Sequence, residues 1–286
     1  MRALRIHAIG EPPVLEELPD PEVGDGDVLV RMEASVLGHH DLSVARGALP
    51  AGQPLPYVPG LEGAGRLEDG TLVRVAGGGL GMTRPGTWSE LVAAPRGVVV
   101  RVADDLDPVV AAACGSSANT AWAALYGAGG LQDGESVGVT GASGAVGSLV
   151  VQLAAGRHVH MWSRERDDDP GEPVDLLIDT VGGPDLPRRL RHVKPGGRAV
   201  LVGYTAGEDV TLNLPSLMFG DVTLIPLNMR RQRVDPDAFA KLLDDFAAGR
   251  LTIRTDVISP GEVAEGIERV RTGRHSGRLV LRWKGA

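Results

Sequence analysis

The sequence predicts an α/β fold in two domains, one rich in β-strands and one built on a doubly wound parallel sheet. Short apolar runs punctuated by Gly, Pro and Asp fill the first third of the chain. Strand, turn and helix patterns alternate after it, and a glycine triplet sits between one strand and the helix that follows. A hydrophobic content of 43% over 286 residues is enough for one large core or two medium ones, and two is the expectation.

Up to residue 115, the runs ALRIHAI, VLVRMEASV, TLVRVA, SELVAAP and VVVRVA read as strands of a partly barrel-like unit. The stretch DPVVAAACGSSANTAWAALYGAGG carries small and apolar residues at helical spacing, ends in glycines, and reads as helices leading out of that unit. ESVGVTGASG, AVGSLVVQLAA, HVHMWSR, VDLLIDTVGG, PDLPRRLRHV and GRAVLVGY then alternate as strand and helix, which calls for a parallel sheet. After VTLIPLNM, DPDAFAKLLDDFAAGR reads as a helix, and the last segment ends in a strand, GRLVLRW, expected to rejoin the first unit. The expected domains are therefore 1–115 with 250–286, and 116–249.

Acidic and basic residues are interleaved around a balance of -8, so nucleic acid is not an expected partner. No run approaches the roughly 18 apolar residues of a membrane span, and the first residues lack the apolar core of a secretion signal. A cytoplasmic location is expected. The single cysteine, Cys114, excludes an intrachain disulfide and agrees with a reducing compartment.

Gly141-Ala-Ser-Gly144-Ala-Val-Gly147 lies directly after the strand-like SVGVT and opens the helix-like AVGSLVVQLAA. Glycines at such a bend allow a tight turn and close approach of backbone N–H groups to a diphosphate, whose charge is favoured at the positive end of the helix. On this reading Gly141, Ser143, Gly144, Ala145, Val146 and Gly147 form the phosphate cradle. An ordinary strand-to-helix turn is the alternative.

The segment TAWAALYGAGGLQDGESVGVTGASGAVGSLVVQLA resembles the signature of quinone oxidoreductases, the zinc-free, zeta-crystallin-like branch of the medium-chain dehydrogenase/reductase family. The resemblance extends through VPGLEGAGRLEDG, GTWSELVAAP, VDLLIDTVGG, KPGGRAVLVGY and GRHSGRLVL, over nearly the whole chain. It implies a GroES-like catalytic domain, a Rossmann domain, and hydride transfer from NADPH to quinones, enals, enones or enoyl thioesters. It further implies that Thr120 lies near the nicotinamide, that Val181 and Gly182 line its ribose, and that Gly203 and Tyr204 sit beside the ring. A homodimer through the last Rossmann strand, VTLIPLNM, is also implied.

At the end of the second Rossmann strand, HVHMW runs into Ser163-Arg164-Glu165-Arg166 rather than an isolated acidic residue, which favours a 2′-phosphate held by Ser163 with Arg164 or Arg166. Asp167, Asp168 and Asp169 follow, so a solvated charged loop is the alternative. The stretch from Gly147 to VDLLID is roughly thirty residues shorter than an intact doubly wound domain, so one strand–helix unit beside the adenosine site is expected to be absent.

The wider family holds zinc at motifs where this chain has Gly38 and Leu61, neither of which can bind a metal; no metal is expected. Cys114, near a third ligand position, reads as buried packing. Without a metal, a hydride acceptor must be polarised and protonated by donors. His40 and Tyr57 are the candidates, with His39 a weaker one, and Asp41 is expected to hold the loop or orient a histidine. Trp88 reads as wall or core. The leading reading is an NADPH-dependent reductase of an activated C=C bond or quinone. The others are a non-redox biosynthetic enzyme (cyclase, dehydratase or isomerase) with weak or absent cofactor binding, and an NADPH-binding regulatory protein.

Overall fold

The computed structural model describes residues 1–47, 52–162, 171–232 and 234–283. The chain begins with β1 (Arg2–Arg5), β2 (Val14–Glu17), β3 (Asp27–Leu37), α1 (His39–Ala45), β4 (Glu62–Arg66), β5 (Leu72–Ala76), β6 (Leu91–Pro95), β7 (Val99–Arg101) and α2 (Pro108–Trp122). It continues with β8 (Val137–Thr140), α3 (Ala145–Leu153), β9 (Val159–Trp162), β10 (Val174–Asp179), α4 (Leu186–Leu190), β11 (Val193–Leu201) and α5 (Leu214–Gly220). The last elements are β12 (Thr223–Pro226), α6 (Pro236–Ala247), β13 (Thr255–Ile258), α7 (Val263–Arg271) and β14 (Arg278–Arg282). Two compact units result, one of Met1–Ser116 with Leu243–Ala286 and one of Ser117–Leu242; the division falls inside α6 rather than after it.

The first unit is the β-rich one. Its main sheet runs β13-β14-β3-β4-β5-β7, with β6 also paired to β3. β3 is long enough to hold β14, β4 and β6 along its length, and β14 lies antiparallel to it with Leu279 opposite Leu37. Residues near the C-terminus thus complete a sheet begun near the N-terminus. Two fully buried indoles fix this core, and each finds the polar partner that a buried N–H requires. Trp88 Nε1 donates to the Val36 carbonyl at 2.8 Å, and Trp283 Nε1 to Ser35 Oγ at 2.9 Å, whose hydroxyl donates on to the Thr87 carbonyl. Truncating either ring to alanine would cost about 3–5 kcal/mol. β2 was not among the expected strands: its short VLEE run sits in the Glu- and Pro-rich start of the chain, and pairing with β1 supplies its order.

The second unit is a five-stranded parallel sheet of order β12-β11-β10-β8-β9, the Rossmann arrangement. All four residues of β8 are buried, as expected of a strand covered on both faces. Sheet order locates the shortening. The six-stranded form carries a third strand beyond the second, whereas among the described residues β9 ends the sheet and only residues 163–173 separate it from β10 in sequence. That connection is too short for an added strand and helix. The Trp162 ring lies over β8 where Gly138 leaves room: a Cβ there would meet the indole at 2.1 Å. Sequence patterning also missed α5, whose start is set by Asn213, its side chain accepting from Ser216 N at 2.9 Å.

Candidate functional site

In the second unit, the turn after β8 is shaped by two close approaches. Gly141 has φ +66°, and a Cβ on it would meet Thr180 Oγ1 at 2.4 Å; a Cβ on Gly147 would lie 2.2 Å from the Gly141 carbonyl oxygen. The first turn of α3 is thereby drawn against the end of β8. Gly144 is the N-cap of α3 and, having no side chain, supplies no cap hydrogen bond of its own. Ala145 and Val146 are half-buried on this first turn, and Ser143 is exposed just before it. Helix starts after a glycine turn are a common setting for phosphate binding.

Two further turns flank it at the carboxyl ends of neighbouring strands. Val181 Cγ2 would lie 2.9 Å from a Cβ on Gly141, and a Cβ on Gly182, whose φ is +63°, would sit 2.7 Å from the Gly203 carbonyl oxygen and 3.0 Å from Tyr204 Cα. The structure therefore brings Gly141, Val181, Gly182, Gly203 and Tyr204 together. Tyr204 is exposed, and Thr120 is half-buried on α2. Ser163, Arg164 and Arg166 lie outside the described residues.

In the first unit, α1 begins at His39 with Gly38 as its N-cap. His39 and His40 are exposed on its first turn, while Asp41 turns inward, and the His39 ring lies 6.2 Å from that of His275. The Asp41 carboxylate accepts from Gly38 N at 2.9 Å and from Leu61 N at 3.1 Å, tying the helix start to the turn before β4. Burial outweighs those bonds and the nearby Arg278 charge, pushing its carboxyl up to about 7. Tyr57 packs with Ile6, Val44 and Ala45, and its buried hydroxyl has no hydrogen-bond partner among the described residues. Burial, then the Asp41 charge, raise that hydroxyl above the ordinary tyrosine value.

Beside them lies a charge cluster that sequence reasoning missed. Buried Glu62 accepts from Ser116 Oγ at 2.6 Å and from Arg278 Nη2, and Arg74 Nη2 stands 3.6 Å from its second oxygen. The Arg74 guanidinium is pressed against α2 at Gly115, where a Cβ would meet its carbon at 2.1 Å. The readable signal was Arg74 itself, a charge within the otherwise apolar run LVRVA. Removing one member of such a buried set costs about 3–5 kcal/mol, because the partner charge is left uncompensated.

Among the described residues, no group of three or more His, Cys, Asp or Glu is placed to hold a metal ion. Gly38 and Leu61 offer no ligand atom, and Cys114 is fully buried, its thiol pushed up to about 11 by burial and turned to the Ala111 carbonyl at 3.6 Å. Trp88, as described above, is core.

Together, a β-rich unit and a parallel sheet of Rossmann order with a glycine bend at a helix start define a two-unit α/β fold. A family model described as zinc-binding dehydrogenase matches residues 150–281. A zinc-type alcohol dehydrogenase-like protein of Schizosaccharomyces pombe is 32% identical over 69% of this chain and 69% of its own length. The mouse mitochondrial enoyl-[acyl-carrier-protein] reductase is 27% identical over 88% of this chain and 80% of its own. Among solved structures, the quinone oxidoreductase of Thermus thermophilus, determined also with NADPH, superposes with a TM-score of 0.79 at 25% identity, covering 99% of this chain and 100% of that one. The chain belongs to the medium-chain dehydrogenase/reductase family.

Asp41 has a consequence for pH. Its carboxyl titrates higher folded than unfolded, so its contribution to stability is complete below about pH 4 and is lost as pH rises toward about 7, at a slope of about 1 kcal/mol per pH unit. Melting temperatures of Asp41→Asn and the parent protein, compared at pH 5 and pH 8, should differ more in the parent's favour at pH 5. An equal difference at both pH values would show that Asp41 is ionised throughout.

Proposed function

We propose that this protein is a zinc-independent, NADPH-dependent reductase of an activated C=C bond or a quinone, such as an enal, enone or enoyl thioester. The observation that carries the reading is the glycine-capped start of α3, drawn against the end of β8 by the close approach of Gly141 and Gly147. The resemblance to a quinone oxidoreductase determined with NADPH supports it.

NADPH, when bound, supplies a hydride. In this reading Gly141, Ser143, Gly144, Ala145, Val146 and Gly147 hold its diphosphate, Val181 and Gly182 take the ribose side, and Thr120, Gly203 and Tyr204 take the nicotinamide side. Ser163, Arg164 and Arg166 are assigned to the 2′-phosphate on sequence grounds. The accepting atom of the substrate needs a hydrogen-bond donor to stabilise developing charge, and a proton to complete the reduction. Tyr57 is the favoured donor: its hydroxyl is buried, un-ionised at neutral pH, and has no protein partner among the described residues to compete for its proton. Exposed His40 is the second candidate and His39 the third. Asp41, bonded to two backbone amides, serves to hold the loop.

A homodimer completes the reading. β12 ends the parallel sheet, and the adjacent α5 exposes Leu214, Met218 and Phe219, the last at 89%. A two-fold axis beside β12 would pair two such edges and cover both α5 faces.

Gly147→Val should weaken NADPH binding about tenfold or more in a folded protein, as read by titration of NADPH fluorescence, because its Cβ collides with the Gly141 carbonyl. Unchanged affinity would remove the cradle from the proposal. Tyr57→Phe should lower kcat about 100-fold with enal or quinone substrates while leaving the melting temperature unchanged or higher, since the hydroxyl lost has no protein partner. Full activity in that variant would transfer the donor role to His40. Light scattering should report a dimer for the parent protein and a monomer for Phe219→Asp; a monomeric parent would end the dimer assignment.

A further inference from the structure

Asp179, the last residue of β10, is fully buried, and its carboxylate lies where the turns of the second unit converge. Oδ1 accepts from Val181 N at 3.0 Å and Gly182 N at 3.2 Å, and from the Thr140 hydroxyl at the end of β8. The Thr140 oxygen in turn accepts from Thr180 N at 3.0 Å, and Thr180 Oγ1 donates to the Thr140 carbonyl at 2.8 Å. The main-chain carbonyl of Asp179 accepts from Val202 N at 2.8 Å and Gly203 N at 3.3 Å, so the turn after β11 hangs from the same residue. Arg189 balances the charge, with Nη1 3.7 Å from Oδ1 and 3.2 Å from the Gly182 carbonyl it donates to. Oδ2 has no hydrogen-bond partner among the described residues.

A buried carboxylate is costly, and a strand end could be finished with neutral groups. What this one does is tie the turn after β10 to the end of β8, while the main-chain carbonyl of the same residue holds the turn after β11; all three lie at carboxyl ends of parallel strands, where ligands of such sheets bind. Its two amide bonds fix Val181 and Gly182, and its bond to Thr140 fixes the residue immediately before Gly141.

We infer that Asp179 is a positioning residue that keeps the turns after β8, β10 and β11 in register for a dinucleotide. The inference rests on the NADPH reading above. Because the effect runs through Oδ1, an asparagine that keeps an oxygen there should keep the register while losing the charge facing Arg189.

NADPH titration by fluorescence, paired with thermal melting, tests this in the full-length protein. Asp179→Ala should raise the Kd about tenfold or more, and Asp179→Asn should stay within about threefold of the parent. Both should melt lower, since both lose the charge facing Arg189. A purely structural role would lower melting in both variants and leave the Kd of the folded protein unchanged, which would overturn the inference. Should Asp179→Ala fail to fold, Thr140→Val, which removes one bond to the carboxylate, carries the test: a Kd about fivefold or more above the parent supports the inference, and one within about threefold overturns it. If the parent protein itself binds neither NADPH nor NADH, both the cofactor reading and this inference fall; if the parent binds and the variants match it, only this inference does.

Discussion

The second unit depends on one close approach. A helix start can be pulled against a strand end only if the crossing backbones carry no side chains, and at Gly147 even a methyl group would overlap the Gly141 carbonyl. The three-residue spacing of the glycines follows, because the second one caps the helix while the first and third make the contact. The nature of the cap follows as well. Many helices cap their first turn with a Ser, Thr, Asp or Asn side chain, and glycine at this position supplies none.

Much of the fold was legible because its pattern is local. The buried run VGVT, the bend and the amphipathic α3 spell out a strand, turn and helix in sequence order, and repetition of that unit is enough to call a parallel sheet. The shortening was legible as arithmetic, since β9 and β10 stand too close in sequence to have another strand and helix between them. Among the elements that escaped are β2 and α5, too short to show a period of their own. Their order comes from a partner strand in one case and an Asn cap in the other.

Site residues were legible where they are glycines and obscure where they are charges. Glu62, Arg74, Asp179 and Arg189 all lie inside or beside apolar runs, where a charged residue is expensive and so informs, yet which charges meet is decided by tertiary folding. Leu61-Glu62 illustrates the point: the sequence shows that the first position has lost any capacity to hold a metal, but not that the second is buried between two guanidinium groups.

Excising a strand and helix from a parallel sheet also changes its rim. Among the described residues β9, the penultimate strand in a six-stranded order, ends the row, and a terminal strand offers a template on which another chain can lengthen the sheet. One trait limits that hazard. His160 interrupts the apolar character of β9, so an intruding strand would find a polar side chain among its contacts. Resistance to aggregation along that rim therefore rests in part on His160, and an apolar replacement there would weaken this protection.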